Sequence, residues 1–159
     1  MNAHLSSPSK NRNSLGDISV LYVSALLRAA EAEGASSAEL ASRFQLDHQT
    51  LTSPEARISI PRFMRLGHAA INETGNPALG LRMGALSRPV DAGIAGLAGE
   101  TAGTAGAALA TLIRYALLTS RNSRGVPTVQ PETRQAKFYS IRPYNGFNYF
   151  VADSVLAAW

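Results

Sequence analysis

Five glycines at nearly regular spacing dominate the stretch Gly75–Ser120. Successive members of this series are mostly three positions apart. The five glycines are Gly93, Gly96, Gly99, Gly103 and Gly106. A glycine at every third position leaves bare backbone on one side of a segment, so another element can approach it closely. We therefore expect this segment to pack tightly against the apolar helix that follows it and to help form a ligand chamber.

Two helices are expected on either side of the glycine series. Asn76 as N-cap and Pro77 at the first helical position predict a short helix, which Gly84 ends. Thr104 is expected to cap a long helix over Ala105–Ser120. The long helix has a stripe with the spacing of a core-facing surface, formed by Leu109, Leu112, Ile113, Ala116 and Leu117. A second face is mixed in polarity and is a candidate cavity wall, formed by Ala108, Thr111, Tyr115 and Leu118.

The remaining chain predicts further helices and then a small antiparallel sheet. Apolar periodicity and capping residues predict helices over Ile18–Glu33, Ala38–Phe44, His48–Thr52 and Pro61–Thr74. Alternating side chains predict strands over Val126–Gln130 and Gln135–Arg142. A last helix is expected over Tyr149–Trp159, begun by Asn148 or Asp153. The expected fold class is mixed α/β of the α+β type, with four to five helices, a small antiparallel sheet and a truncated C-terminal helix.

The first predicted helix, Ile18–Glu33, is apolar on nearly every side. Asp17 is expected to cap its start, and Gly34 to end it in the left-handed conformation. A helix without a polar face is either buried in its own chain or paired with a second subunit. The N-terminal helices are therefore a candidate homodimer contact.

Composition limits the class of protein. The chain of 159 residues is 45% hydrophobic and 16% charged, which indicates one globular domain. Residues Met1–Gly16 lack apolar periodicity and are expected to form a disordered arm ahead of a domain over 17–159. There are no cysteines, no signal peptide and no apolar run long enough to span a membrane, so we expect a cytoplasmic protein without a membrane partner.

Several of these segments together resemble one known family. The run from Asn76 to Gly84, the run Gly93–Gly96 and the residues around Ile113–Tyr115 are similar to the N-terminal effector-sensing domain of AraC-type bacterial transcription regulators. The similarity is to the arabinose-binding version of that domain rather than the cupin version. The upstream segment 53–60 resembles the same domain, and the similarity extends from about Ile18 to the last residue.

This resemblance implies a function in transcription regulation. The chain is expected to be the effector-sensing and dimer-forming part of a regulator, with a small-molecule effector as its main partner. In the family, the sensing domain continues into further elements and then a DNA-binding domain with two helix-turn-helix units. Neither part lies in these 159 residues, so the domain is expected to be an incomplete fragment that reaches DNA only through the missing domain.

Four side chains are candidate effector contacts. Tyr115 and Tyr139 bring hydroxyl groups on apolar rings, and Arg114 suits an anionic effector. His68 lies at the edge of the apolar face of its helix. Each has an ordinary alternative role, which is ring packing for the tyrosines and the histidine and a solvated charge for Arg114.

A rival interpretation is direct DNA binding by residues 37–51. The sequence there is similar to a helix-turn-helix, in which a second helix enters the major groove. Three features oppose it, since Gln45 replaces the usual turn glycine, Pro54 stops the second helix early, and that helix carries no Arg or Lys. A small structural helical hairpin is the alternative for the same residues.

The sequence shows no complete catalytic motif. The histidines His4, His48 and His68 have no partner at helical spacing for a metal site. There is no nucleophile elbow, dinucleotide fingerprint or phosphate-binding loop. The sequence therefore predicts a protein that is not an enzyme and that uses no cofactor or metal.

Overall fold

The computed structural model describes residues 15–159, and over this part of the chain the fold is α+β, as the sequence predicts. Its α-helices are α1 (Val20–Ala32), α2 (Ser37–Arg43), α3 (His48–Thr52), α4 (Ile60–Thr74), α5 (Leu79–Ala85), α6 (Gly93–Glu100), α7 (Ala105–Arg114) and α8 (Tyr149–Ala158). Its strands are β1 (Gly16–Ser19), β2 (Arg57–Ser59), β3 (Ser120–Asn122), β4 (Thr128–Gln130) and β5 (Gln135–Lys137).

A three-stranded antiparallel sheet, ordered β2-β1-β3, ties the two ends of the helical region together. Ile18 in β1 pairs with Ile58 of β2 and with Ser120 of β3. Gly16, predicted as the end of the arm, pairs with Asn122 and so belongs to the domain. The rest of the predicted arm lies outside the described residues.

The helix α1 is the centre of the hydrophobic core. Val20, Val23 and Leu26 have no exposed surface. Its N-cap is Ser19 rather than the predicted Asp17, and the Ser19 hydroxyl accepts a hydrogen bond from the backbone N–H of Leu21 at 3.2 Å. The predicted cap was wrong because residues 16–19 are extended by pairing in the sheet.

Burial within the chain accounts for the apolar character of α1. Its large aliphatic side chains are mostly covered by α2, α4 and α5, so α1 does not require a second subunit. A homodimer through the N-terminal helices stays a prediction.

The segment with helix-turn-helix similarity forms two short helices, α2 and α3. Leu40 and Leu46 are buried in the core, and Gln45 adopts the left-handed conformation, with φ of 54°, where a glycine is usual. The helix α3 has only five residues. A recognition helix must present several side chains along the major groove, so this geometry does not favour the DNA-binding interpretation.

The longest described helix, α4, has 15 residues. Its start and end follow the prediction, with Pro61 in the first turn and Gly75 at φ of 65° after the last. Within residues 15–159, no helix has both the length and the apolar character needed to cross a bilayer.

The helix α5 begins at Leu79, later than predicted. The side chain of Asn76 accepts a hydrogen bond from the backbone N–H of Ala78 at 2.9 Å, so it closes a turn before the helix instead of capping it. The helix also continues to Ala85, which shows that Gly84 does not end it.

Three glycines allow α8 to dock closely on α4 and α5. Gly67 and Gly80 lie directly against Phe150, and Gly84 lies against Ala157. A side chain at any of these positions would occupy space that α8 already fills. The C-terminal helix is therefore an integral part of the core.

Three of the five stepped glycines, Gly93, Gly96 and Gly99, lie in α6, whereas Gly103 precedes α7 and Gly106 lies within it. Gly96 lies directly against the carbonyl group of Pro89, and a Cβ atom at Gly99 would lie 3.6 Å from the carbonyl oxygen of Ala108 in α7. Close backbone approach therefore occurs at Gly96, but to the turn before α6 rather than to α7, and a Cβ atom at Gly99 would make only an ordinary van der Waals contact with α7. The expected tight packing of the glycine series against α7 is wrong at Gly103 and Gly106, where a Cβ atom would meet nothing within 4 Å.

The helix α7 ends at Arg114, well before its predicted end. The chain then makes a short 3-10 turn and enters β3, and just before that strand the carbonyl of Thr119 accepts a hydrogen bond from the backbone N–H of Ser19 at 2.7 Å. This long-range pairing overrides the local preference for helix. As a consequence Ile113 is buried, but Leu117 of the predicted stripe is 52% exposed.

A separate two-stranded sheet joins β4 to β5, with Val129 opposite Ala136. Both strands are shorter than predicted. After Lys137 the chain turns back on itself, and the backbone N–H of Ile141 donates to the carbonyl of Arg124 at 2.7 Å.

Candidate functional site

A cavity of about 460 Å³ lies where α1, α6, α7, α8 and β3 meet. Most of its wall is apolar and includes Ala95, Leu112, Ile113, Val126, Phe138 and Trp159. The helices α6 and α7 also contribute Gly96, Gly99 and Ala108. Because these residues have little or no side chain, the space between the helices stays open.

Polar residues also line the cavity, and we call this set the polar wall. It comprises Tyr22, Ser87, Arg88, Asp91, Glu100, Thr119, Ser120, Asn122 and Ser154. A few polar groups in a mainly apolar chamber can orient a ligand.

Asp91 is the most buried charged residue of this polar wall, with 5% of its surface exposed. The guanidinium of Arg28 donates to Asp91 Oδ2 at 2.5 Å, and the backbone N–H of Arg88 donates to the same oxygen at 2.8 Å. The side chain of Arg88 lies 3.5 Å from Asp91 Oδ1. A buried carboxylate needs such partners, because leaving water is costly for an unpaired charge.

The local sequence explains how Asp91 reaches this position. Pro89, with its fixed φ, opens a 3-10 turn, and the Asp91 side chain folds back onto the start of that turn. Gly93 then adopts φ of 61°, which lets the chain change direction into α6. The turn thus brings the carboxylate to α1, where Arg28 lies.

Tyr22 contributes a hydroxyl group to the same polar wall. Burial raises the pKa of the Tyr22 hydroxyl above its ordinary value of 10.0, a hydrogen bond with Thr119 lowers it in part, and the charge of Asp91 raises it further. The folded protein therefore holds the phenolic proton more tightly than the unfolded chain does.

This proton binding predicts a loss of stability in alkali. The stabilisation that the Tyr22 hydroxyl gives the folded state is fully present below pH 10.0, the ordinary pKa of tyrosine. It is lost as the pH rises from there through the higher pKa that Tyr22 has in the folded protein. We expect the free energy of unfolding, measured in urea at about pH 9 and pH 11, to fall less in Tyr22→Phe than in the natural chain. Tyr115→Phe, at an exposed position, is the matched control. An equal fall in all three proteins would contradict this prediction.

Two of the predicted effector contacts lie together at the end of α7. Arg114 is exposed, and Tyr115 has 48% of its surface exposed. Neither belongs to the residues of 15–159 that line the cavity.

The other two predicted contacts lie apart from these and from the cavity. Tyr139 is 56% exposed and packs against Gly125. The ring of His68 lies 4.6 Å from that of Phe147, and its Nδ1 is buried without a hydrogen-bond partner among the described residues. The cavity lining contains neither residue, so the effector-contact role of all four stays a prediction.

Sequence reasoning missed the cluster of Arg28, Arg88 and Asp91. The two partners Arg28 and Asp91 are 63 residues apart, so no local spacing connects them. The one available signal was an aspartate two residues after a proline, a pattern typical of a turn. That signal predicts the turn but not the arginine that it meets.

The lining of the cavity suits binding of a small organic molecule. It combines a broad apolar surface with several hydrogen-bonding groups. Among residues 15–159, no three His, Asp or Glu side chains are grouped in a way that could hold a metal ion.

Comparison with known proteins gives one family. No curated protein matches the chain. The sequence-family model of the N-terminal arabinose-binding domain of AraC transcription regulators matches residues 34–159, which is most of the chain. The chain therefore belongs to this family of ligand-sensing regulatory domains.

Proposed function

We propose that this domain binds a small-molecule effector in the cavity between α1, α6, α7 and α8. The observation that carries the proposal is the cavity itself, whose volume of about 460 Å³ falls within the range of ligand pockets. Its polar wall around Asp91 would orient the effector, and the apolar wall would supply most of the affinity.

The lining favours a mainly apolar effector with few polar groups. A sugar carries hydroxyl groups on every side and needs a hydrogen-bond partner for each. Here most of the lining is apolar, and the Asp91 carboxylate is already engaged by Arg28 and Arg88. The proposal therefore does not extend the sugar in the family's name to this chain.

Control of transcription would follow from the elements that the effector touches. The cavity is bounded by α8 and by β3, which is joined to the central strand β1. An effector that binds one arrangement of these elements better than another shifts the balance between them. We propose that such a shift regulates a helix-turn-helix DNA-binding domain attached to this one, in the cytoplasm and without an enzymatic step.

A thermal-shift screen of small metabolites tests effector binding. We expect an effector present at one hundred times its dissociation constant to stabilise the fold by about 2.7 kcal/mol, or roughly 5–10 °C. Filling the cavity with Ala108→Leu should weaken effector binding at least about tenfold, because the added side chain enters the space that the effector needs.

The neighbouring residue on α7 provides the control. Ala107 is exposed and does not line the cavity, so Ala107→Leu should leave the effector response unchanged. Stabilisation that survives Ala108→Leu would place the effector elsewhere and would contradict the proposed site.

A further inference from the structure

A second groove, of about 440 Å³, lies between α4 and the segments 122–124 and 140–148. Three arginines line it, namely Arg65 from α4, Arg124 after β3 and Arg142 ahead of α8. Among its described lining residues there is no aspartate or glutamate. Positive charge from three separate parts of the chain therefore converges on one concave surface.

These three arginines differ from most others in the protein. Ion pairs with a carboxylate are formed by Arg28, Arg43, Arg57, Arg82, Arg88 and Arg121. Within residues 15–159, Arg65, Arg124 and Arg142 form none. Residues 1–14 contain no aspartate or glutamate, so no side chain of that segment can neutralise the groove.

The groove also contains a buried donor without an acceptor. The Nε atom of Arg124 is inaccessible to solvent and has no hydrogen-bond partner in the described chain. A buried polar group of this kind is costly unless a ligand or water satisfies it. Tyr144 and Ser140 add neutral hydroxyl groups to the same lining.

We propose that this groove binds a phosphoryl dianion, either as free phosphate or as the phosphate group of a small monoester. Guanidinium groups bind phosphate through paired, charge-assisted hydrogen bonds, and one dianion would offset most of the clustered positive charge. The groove is larger than a single phosphate, and Tyr144 and Phe147 provide apolar surface for an organic substituent.

The site is distinct from the effector cavity, although Asn122 lines both. The side chain of Asn122 accepts a hydrogen bond from the backbone N–H of Arg124 at 2.9 Å, which fixes the loop between the two spaces. Phosphate would therefore bind the domain at a second site, separate from the cavity in which we propose effector binding.

Isothermal titration of the 159-residue chain with inorganic phosphate, against chloride at the same ionic strength, tests the proposal. We expect saturable phosphate binding that Arg65→Gln and Arg142→Gln each weaken about tenfold. Both side chains are exposed, so these substitutions leave the core intact. Arg114→Gln removes an exposed arginine outside the groove and should have no effect, as should Ala108→Leu in the other cavity.

Titration with glycerol phosphate identifies the source of the dianion. Tighter binding than phosphate supports a monoester, and equal binding supports free phosphate. Phosphate that binds no better than chloride would overturn the proposal. So would an equal loss in Arg114→Gln, or binding of duplex DNA by a chain that ignores phosphate, since either result would indicate general charge attraction.

Discussion

Phe150→Ala is expected to lower the free energy of unfolding by about 3–5 kcal/mol. Phe150 is 2% exposed, and its ring lies 5.6 Å from that of Phe63. The ring lies directly against Gly67, which has no side chain to fill the space, so the substitution opens a cavity there. Since a domain of this kind is stable by only about 5–15 kcal/mol, a large part of its stability depends on this ring.

Urea unfolding followed by circular dichroism measures this loss. Leu156→Ala is the matched control, because Leu156 is on the same helix but is 55% exposed, and its removal should cost less than about 1 kcal/mol. The helix α8 also lines the cavity in which we propose effector binding, so on that proposal Phe150→Ala should weaken effector binding as well. A variant as stable as the control would show that α8 is not part of the core.

The local signals in the sequence predicted helices well. Ser36, Asp47 and Thr104 each accept a hydrogen bond from a backbone N–H in the first turn of their helices, as their positions indicate. Gly34 and Gly75 adopt positive φ after theirs. Each of these signals depends on residues a few positions apart, which sequence reasoning can read directly.

The three-stranded sheet β2-β1-β3 could not be predicted in the same way. Its strands have three or four residues each, and their partners are distant along the chain. Pairing with β1 decides where α7 ends and why Ser19, not Asp17, caps α1. Such long-range hydrogen bonds leave no periodic pattern in the sequence.

Only the apolar lining of the candidate site could be predicted from the sequence. The small residues of α6 and α7 indicated a chamber, and Gly96 and Gly99 do border one. The polar wall depends on the ion pair between Arg28 and Asp91, which are distant in sequence, and only the structure shows this contact. Tyrosines chosen for their chemistry alone, such as Tyr115, lie on the surface instead.

Asp91→Ala is expected to destabilise the domain by about 2–3 kcal/mol. Removing one partner of a fully buried ion pair costs more, but here the Arg28 side chain keeps 32% of its surface exposed and the Arg88 side chain 59%, so water can solvate both. The variant also leaves the Arg88 backbone N–H without its acceptor. Asp91→Asn retains an oxygen for that N–H and should cost less.

Two controls distinguish the stability that the buried Asp91 ion pair provides from a general effect of removing a charge. One is a second ion pair, and the other is a double-mutant cycle. Glu73→Ala breaks the more exposed pair with Arg43 and should cost less than about 1 kcal/mol. Combining Asp91→Asn with Arg28→Gln should cost less than the sum of the two single changes, because the first change already removes the partner of the second. Strict additivity in urea unfolding would mean that Arg28 and Asp91 do not stabilise each other, and the polar wall would then lack its organising contact.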